Sequence, residues 1–231
     1  MNIKPFLKPG ALVFGAALAA ALLVACSDNE SQDGPSTQHP TSHTASIDEA
    51  FRDDMRMLWE DHIAWTRLAI VSLAQGLPDA AATTDRLLEN QVHIGDAIKP
   101  YYGDAAGDQL TALLKEHIVI AADLVVAAKA GDNAAVEQAQ SSWYANADAV
   151  GAFLGTANPD NWDAGEMKSM MREHLDLTLQ EAVHFLTGDY EASVADYDQI
   201  HIQILGMADM LSEGIIVQFP NAFAAQVGGV Q

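Results

Sequence analysis

Cysteine is almost absent from this chain of 231 residues, which contains only Cys26. A single cysteine excludes any disulfide within the chain, so the fold must be held together by core packing or by a bound group. Basic residues are also scarce, with 11 Lys and Arg against 32 Asp and Glu and a net charge of −21. Because so acidic a surface repels nucleic acid and anionic lipid head groups, we expect no nucleic-acid partner.

Several signals of common folds and activities are missing as well. No stretch alternates apolar and polar residues over a strand's length, which argues against a sheet. The chain has neither a glycine loop that would cradle phosphates nor a legible arrangement of a serine, cysteine or lysine nucleophile with its base. An enzymatic role therefore has no support in the sequence.

Residues 1–25 have the form of a secretory signal peptide. The N-terminal segment carries two lysines and is followed by the apolar run 11–24. This run is shorter than the ~20 residues that a membrane-spanning helix needs. The sequence Leu23-Val24-Ala25-Cys26 resembles the lipobox of bacterial lipoproteins, in which the cysteine is lipidated and becomes the first residue. We therefore predict cleavage before Cys26 and a membrane anchor on its side chain.

The segment 26–45 is rich in Ser, Thr, Asp, Pro, Gln and His, which is typical of a flexible tether. Ser27, rather than Asp, follows the cysteine. In Gram-negative lipoproteins Asp at that position favours the inner membrane, so the resemblance favours the periplasmic side of the outer membrane. Removing the signal peptide takes away two lysines and no acid, which leaves nine basic and 32 acidic residues and a net charge of −23. The sequence identifies no protein partner in the envelope.

From residue 46 to residue 220 the pattern is helical throughout. We predict an all-α, up-and-down bundle of about six helices arranged as three hairpins, followed by a tail over 221–231. The predicted helices run from about 46 to 75, from 79 to about 99–103, from 104 to 130, from 133 to about 154, from 163 to 187 and from 190 to 218.

A weak internal repeat accompanies this pattern. The three odd-numbered helices each carry an acid, a histidine and an aliphatic residue in succession, with a glycine 14 positions after the histidine. The histidines are His62, His117 and His174, and the glycines are Gly76, Gly131 and Gly188. We infer three hairpins of one plan whose histidine-bearing faces line the interior.

Charged residues within apolar runs are the second unusual feature, because a buried charge is costly unless it is paired. One interpretation is a site for a divalent or transition metal, built from histidine and carboxylate on facing helices. Its centre would be His62, His117 and His174. The full set of candidate ligands is His62, His117, His174, Glu181, His201, Asp209 and Asp123.

The competing interpretation is a structural network in the core. Arg67 would then neutralise Asp123 or Asp209, and the histidines would donate to carboxylates or carbonyls. A small organic ligand held in the core is a third use of the same residues. The spacing does not match the Glu-x-x-His pair of ferritin-like dimetal sites, so the sequence does not choose among these interpretations.

Several strings resemble a family of small bacterial all-helical proteins of unknown function, and the resemblance covers nearly all of residues 50–220. They include Leu58-Trp59-Glu60-Asp61-His62, Trp65-Thr66-Arg67, Lys99-Pro100-Tyr101-Tyr102-Gly103, Trp143-Tyr144-Ala145-Asn146, His174-Leu175-Asp176-Leu177-Thr178 and Met207-Ala208-Asp209-Met210. The resemblance implies a helical fold and a set of polar positions, but no activity. We expect a lipid-anchored envelope protein that binds a metal ion or small ligand in its core, or else a structural or interaction protein.

Overall fold

The computed structural model describes residues 46–224, so the predicted signal peptide, Cys26, the tether up to residue 45 and residues 225–231 lie outside the described part. Six long helices and one short one make up this part, and it contains no strand, which confirms the all-α fold. The helices are α1 (Ile47–Gln75), α2 (Ala80–Tyr102), α3 (Asp104–Ala130), α4 (Asn133–Ala157), α5 (Ala164–Thr187), α6 (Tyr190–Gln218) and α7 (Pro220–Phe223).

Local signals account for the helix ends. Ser46 and Glu49 form a capping box, in which each side chain bonds the backbone N–H of the other residue. Each of the three hairpins turns at a left-handed glycine, with φ of 67° at Gly76, 70° at Gly131 and 83° at Gly188. Two predicted ends differ, because α4 continues to Ala157 and Pro220 opens α7 rather than only ending α6.

The six long helices form a closed ring in chain order. Each helix packs against its neighbours in sequence, α6 closes the ring against α1, and α1 also packs against α3 and α5. We call the end of the bundle at Gly76, Gly131 and Gly188 the glycine end. At the opposite end Phe223 of α7 packs on Phe51 and Tyr101.

At two of the three boundaries between hairpins, the backbones of the facing helices approach each other closely. A Cβ on Gly95 of α2 would lie 2.6 Å from the carbonyl oxygen of Gly107 of α3. A Cβ on Gly151 of α4 would lie 2.8 Å from Cα of Lys168 of α5. At the third boundary, between α6 and α1, a Cβ on Gly206 would meet nothing within 4 Å, and an open groove lies there instead.

Helix α6 is the one described helix that is long and apolar enough to cross a membrane by length and composition. In its most apolar window, 44% of the residues are buried inside the bundle. Ile204, Met207, Ala208 and Ile215 of this helix are at most 1% exposed. One face of this apolar helix therefore belongs to the core of the bundle.

Candidate functional site

The structure brings the three repeat histidines together in the middle of the bundle. His62, His117 and His174 are 2–3% exposed and come from α1, α3 and α5. The ring centroids of His62 and His174 are 5.7 Å apart, and those of His117 and His174 are 6.5 Å apart. We call these three residues the histidine layer.

A side-chain amide holds each histidine through Nδ1. The partners are Gln91 for His62 at 3.2 Å, Asn146 for His117 at 3.1 Å and Gln203 for His174 at 3.1 Å. Each amide lies 29 residues after its histidine, on the second helix of the same hairpin. The threefold repeat therefore includes the amides, which the sequence analysis missed although their constant spacing from the histidines was a readable signal.

Backbone carbonyls fix the orientation of these amides. Asn146 Nδ2 donates to the Leu113 carbonyl at 3.1 Å, and Gln203 Nε2 donates to the Met170 carbonyl at 3.2 Å. In the first hairpin Asn90, the neighbour of Gln91, donates to the Leu58 carbonyl at 3.0 Å. In all three hairpins the acceptor lies four residues before the histidine.

The amide orientations assign the tautomers of the histidines. His117 and His174 face an amide oxygen, so each carries its proton on Nδ1. Nε2 of His117 is then a free acceptor, and the indole N–H of Trp143 donates to it at 3.2 Å. His62 faces the amide nitrogen of Gln91, so its Nδ1 accepts and its proton lies on Nε2.

Burial keeps all three histidines neutral. It lowers the pKa of His117 to about 3, with a further contribution from His174, and it lowers the pKa of His174 to about 4. The pKa of His62 also falls well below the usual 6.5, first through burial and then through the other two histidines. The layer is therefore a set of neutral donors and acceptors at physiological pH.

Glu181 is a buried carboxylate in the core, and its partner is Arg67. It is 2% exposed and accepts a hydrogen bond from Arg67 Nη1, which also donates to the carbonyl and hydroxyl oxygens of Ser193 at 3.3 Å. Burial raises the pKa of Glu181 to about 7, against the lowering effect of Arg67. The expectation that Arg67 neutralises Asp123 or Asp209 is therefore wrong.

The remaining candidate ligands lie at the surface, away from the histidine layer. Asp123 is exposed. Asp209 pairs with Arg56 across the groove between α1 and α6, and His201 Nε2 lies 2.9 Å from Glu60 Oε1. The apolar residues around Asp123 suggested a buried position, but Val119 and Val126 on the same helix are themselves 48% and 50% exposed.

No group of three or more His, Cys, Asp or Glu side chains within residues 46–224 is arranged to hold a metal ion. The distances from the ring centroid of His174 to those of His62 and His117 would by themselves suit ligands of one ion. The indole N–H of Trp143, however, already donates to Nε2 of His117. A site with three histidine ligands would need that hydrogen bond to break.

Two small cavities lie near the layer, and one large groove lies at the surface. A cavity of about 40 Å³ is bordered by Thr66, Thr178 and Trp143, and one of about 20 Å³ is bordered by Met55 and Trp59. The groove between α1 and α6 measures about 860 Å³ and is lined by Arg52, Arg56, Asp209 and other charged side chains that mostly pair with one another. This groove is lined by charged surface residues of α1 and α6 and contains none of the three histidines.

No protein-family model, curated protein or solved structure matches this chain.

Proposed function

We propose that this chain is a lipid-anchored envelope protein whose bundle is a structural or protein-interaction module. The observation that supports this best is the matching of polar groups in the core, where Nδ1 of all three buried histidines is bonded to an amide of the same hairpin. Buried hydrogen bonds that repeat in this way in all three hairpins favour one packing of the helices. The acidic surface then suits cations or basic protein partners rather than nucleic acid.

The test of the core is elemental analysis of the protein purified without a histidine tag or chelator. A structural network predicts no stoichiometric metal and a thermal midpoint that neither EDTA nor added zinc changes. His174→Gln should then lower the free energy of unfolding without altering any binding. One bound transition metal per chain, lost in the His174→Gln variant, would contradict the proposal.

The test of the anchor is Cys26→Ser. The parent chain should fractionate with membranes and carry acyl chains on residue 26 by mass spectrometry. The variant should be found in the soluble fraction with an unchanged helical circular dichroism spectrum. A variant that still sediments with membranes would rule out anchoring through this cysteine.

A metal ion at the histidine layer is the second candidate. Nε2 of His62 and of His174 has no hydrogen-bond partner within the described residues, while Nδ1 of both is held by an amide. Metal-ligating histidines are oriented in the same way through their second nitrogen. The elemental analysis above distinguishes the two candidates, since this one requires a divalent or transition ion that is lost in His62→Gln and in His174→Gln.

A further inference from the structure

The cavity of about 40 Å³ lies between the histidine layer and the glycine end of the bundle. It lies where α3 and α5, which both pack against α1, make few backbone contacts with each other. The residues that line it come from α1 to α5 and are Thr66, Ile70, Leu73, Leu87, Ile118, Ala121, Ala122, Leu124, Val125, Trp143, Thr178, Leu179 and Ala182.

The surface that this cavity presents is almost entirely apolar. Its three side-chain donors are already bonded: Thr66 to the His62 carbonyl at 2.7 Å, Thr178 to the His174 carbonyl at 2.8 Å and Trp143 to His117. A buried water needs two to four polar partners, and cavities that lack them stay dry. The lining atoms therefore face empty space and lose the dispersion contacts that a filled core provides.

We propose that this cavity is a binding site for a small apolar molecule of the size of a diatomic gas. Its volume of about 40 Å³ exceeds the ~10–15 Å³ that one water requires and is well below the ~150 Å³ of a cavity that holds benzene. Two or three heavy atoms fill it, and an apolar ligand regains the missing contacts without leaving a polar group unpaired. This site goes beyond the proposed structural role and does not depend on it.

Access to the cavity needs only side-chain motion. Five of its lining residues are half-buried rather than buried: Thr66, Leu73, Ala121, Ala122 and Leu179. These residues line the side of the cavity that is partly open toward solvent, and their side chains are small or flexible. A bound molecule would lie about one helical turn from His62 and His174, because Thr66 and Thr178 follow these histidines by four residues.

The test uses xenon as the probe. Methyl NMR of the purified full-length protein monitors xenon binding. We expect saturable shifts on the methyl groups of Ile70, Val125 and Leu179. Ala182→Val fills the cavity and should abolish saturation, whereas Ala195→Val, the same change at an exposed site on α6, should preserve it. Leu87→Ala removes a buried wall side chain that is 2% exposed, so it enlarges the cavity from the inside and should increase the affinity for xenon several-fold.

Three results would overturn the proposal. They are the absence of saturable shifts in the parent protein, shifts that persist in Ala182→Val, and shifts that centre on the smaller cavity beside Met55 and Trp59. If circular dichroism shows that Ala182→Val does not fold, Leu87→Ala decides alone. Unchanged or weaker xenon binding in that variant would then contradict the assignment.

Discussion

Acidification from pH 7 to pH 5 should destabilise this bundle through its three buried histidines. In the unfolded chain each histidine has a pKa near 6.5, whereas burial lowers the pKa of His117 to about 3 and that of His174 to about 4. The pKa of His62 is also lowered well below 6.5. Because the folded values lie below the unfolded one, stability is complete above pH 6.5 and is lost progressively as the pH falls toward the folded values.

The size of the effect follows from linkage. One pH unit below the unfolded pKa costs about 1.4 kcal/mol per histidine, so at pH 5 His117 and His174 each cost roughly 2 kcal/mol and together roughly 4 kcal/mol, and His62 adds a loss in the same direction. Glu181 acts in the opposite direction, because its folded pKa of about 7 lies above the usual 4.5. Its contribution is complete below pH 4.5 and is lost as the pH rises through 7, so acidification to pH 5 returns roughly 2 kcal/mol.

The net loss from His117, His174 and Glu181 is roughly 2 kcal/mol before the loss at His62 is added, which is a substantial share of the ~5–15 kcal/mol that stabilises a typical domain. Urea denaturation followed by far-UV circular dichroism at pH 7 and pH 5 measures it. His174→Gln should reduce the difference between the two pH values by about 2 kcal/mol, since one titrating group is removed. His93→Gln, which replaces an exposed histidine on α2, is the matched control and should leave the difference unchanged. An equal pH dependence in the parent protein and in His174→Gln would refute the reasoning.

Three further predictions concern stability at single positions. Trp143→Phe leaves Nε2 of His117 without a donor and should cost about 1–3 kcal/mol more, by urea denaturation, than Trp59→Phe, whose indole N–H has no partner; equal costs would contradict the hydrogen bond. Arg67→Met leaves the buried Glu181 carboxylate without its cationic partner. It should lower the free energy of unfolding by about 3–5 kcal/mol at pH 8 but by less at pH 5, where Glu181 is protonated. The double variant Arg67→Met/Glu181→Leu should recover most of that loss, and its failure to do so would argue against the pair. Gly151→Ala drives a Cβ against the Lys168 backbone and should lower the free energy of unfolding by about 1–3 kcal/mol, which a lower thermal midpoint would report. Gly206→Ala meets nothing and should be neutral or stabilising.

The sequence predicted the helices well because helix ends depend on local chemistry. The capping box at Ser46 and the glycines at 76, 131 and 188 lie where the structure ends or begins its helices. The repeat of histidine and glycine also indicated equivalent positions on three helices, and equivalent positions in similar hairpins meet when the hairpins pack around one axis.

The hydrogen-bond partners in the core were harder to predict. Gln91, Asn146 and Gln203 carry no charge and sit in ordinary helical sequence, so only their constant distance from the histidines marks them. Which of two helix faces turns inward depends on the rotation of each helix about its axis. An apolar run with no clear periodicity, like that around Asp123, does not specify this rotation.

By itself the sequence determined the six long helices, the turns between them and the common level of His62, His117 and His174, because these depend on contacts within a few residues or on an exact repeat. Only the tertiary structure decided that Arg67 meets Glu181, 114 residues away, rather than Asp123 or Asp209. It also decided the tautomer of each histidine and left the gap between α3 and α5. The physical reason is that pairing and packing across the bundle depend on which faces meet when α6 closes the ring against α1, and no short stretch of sequence encodes that arrangement.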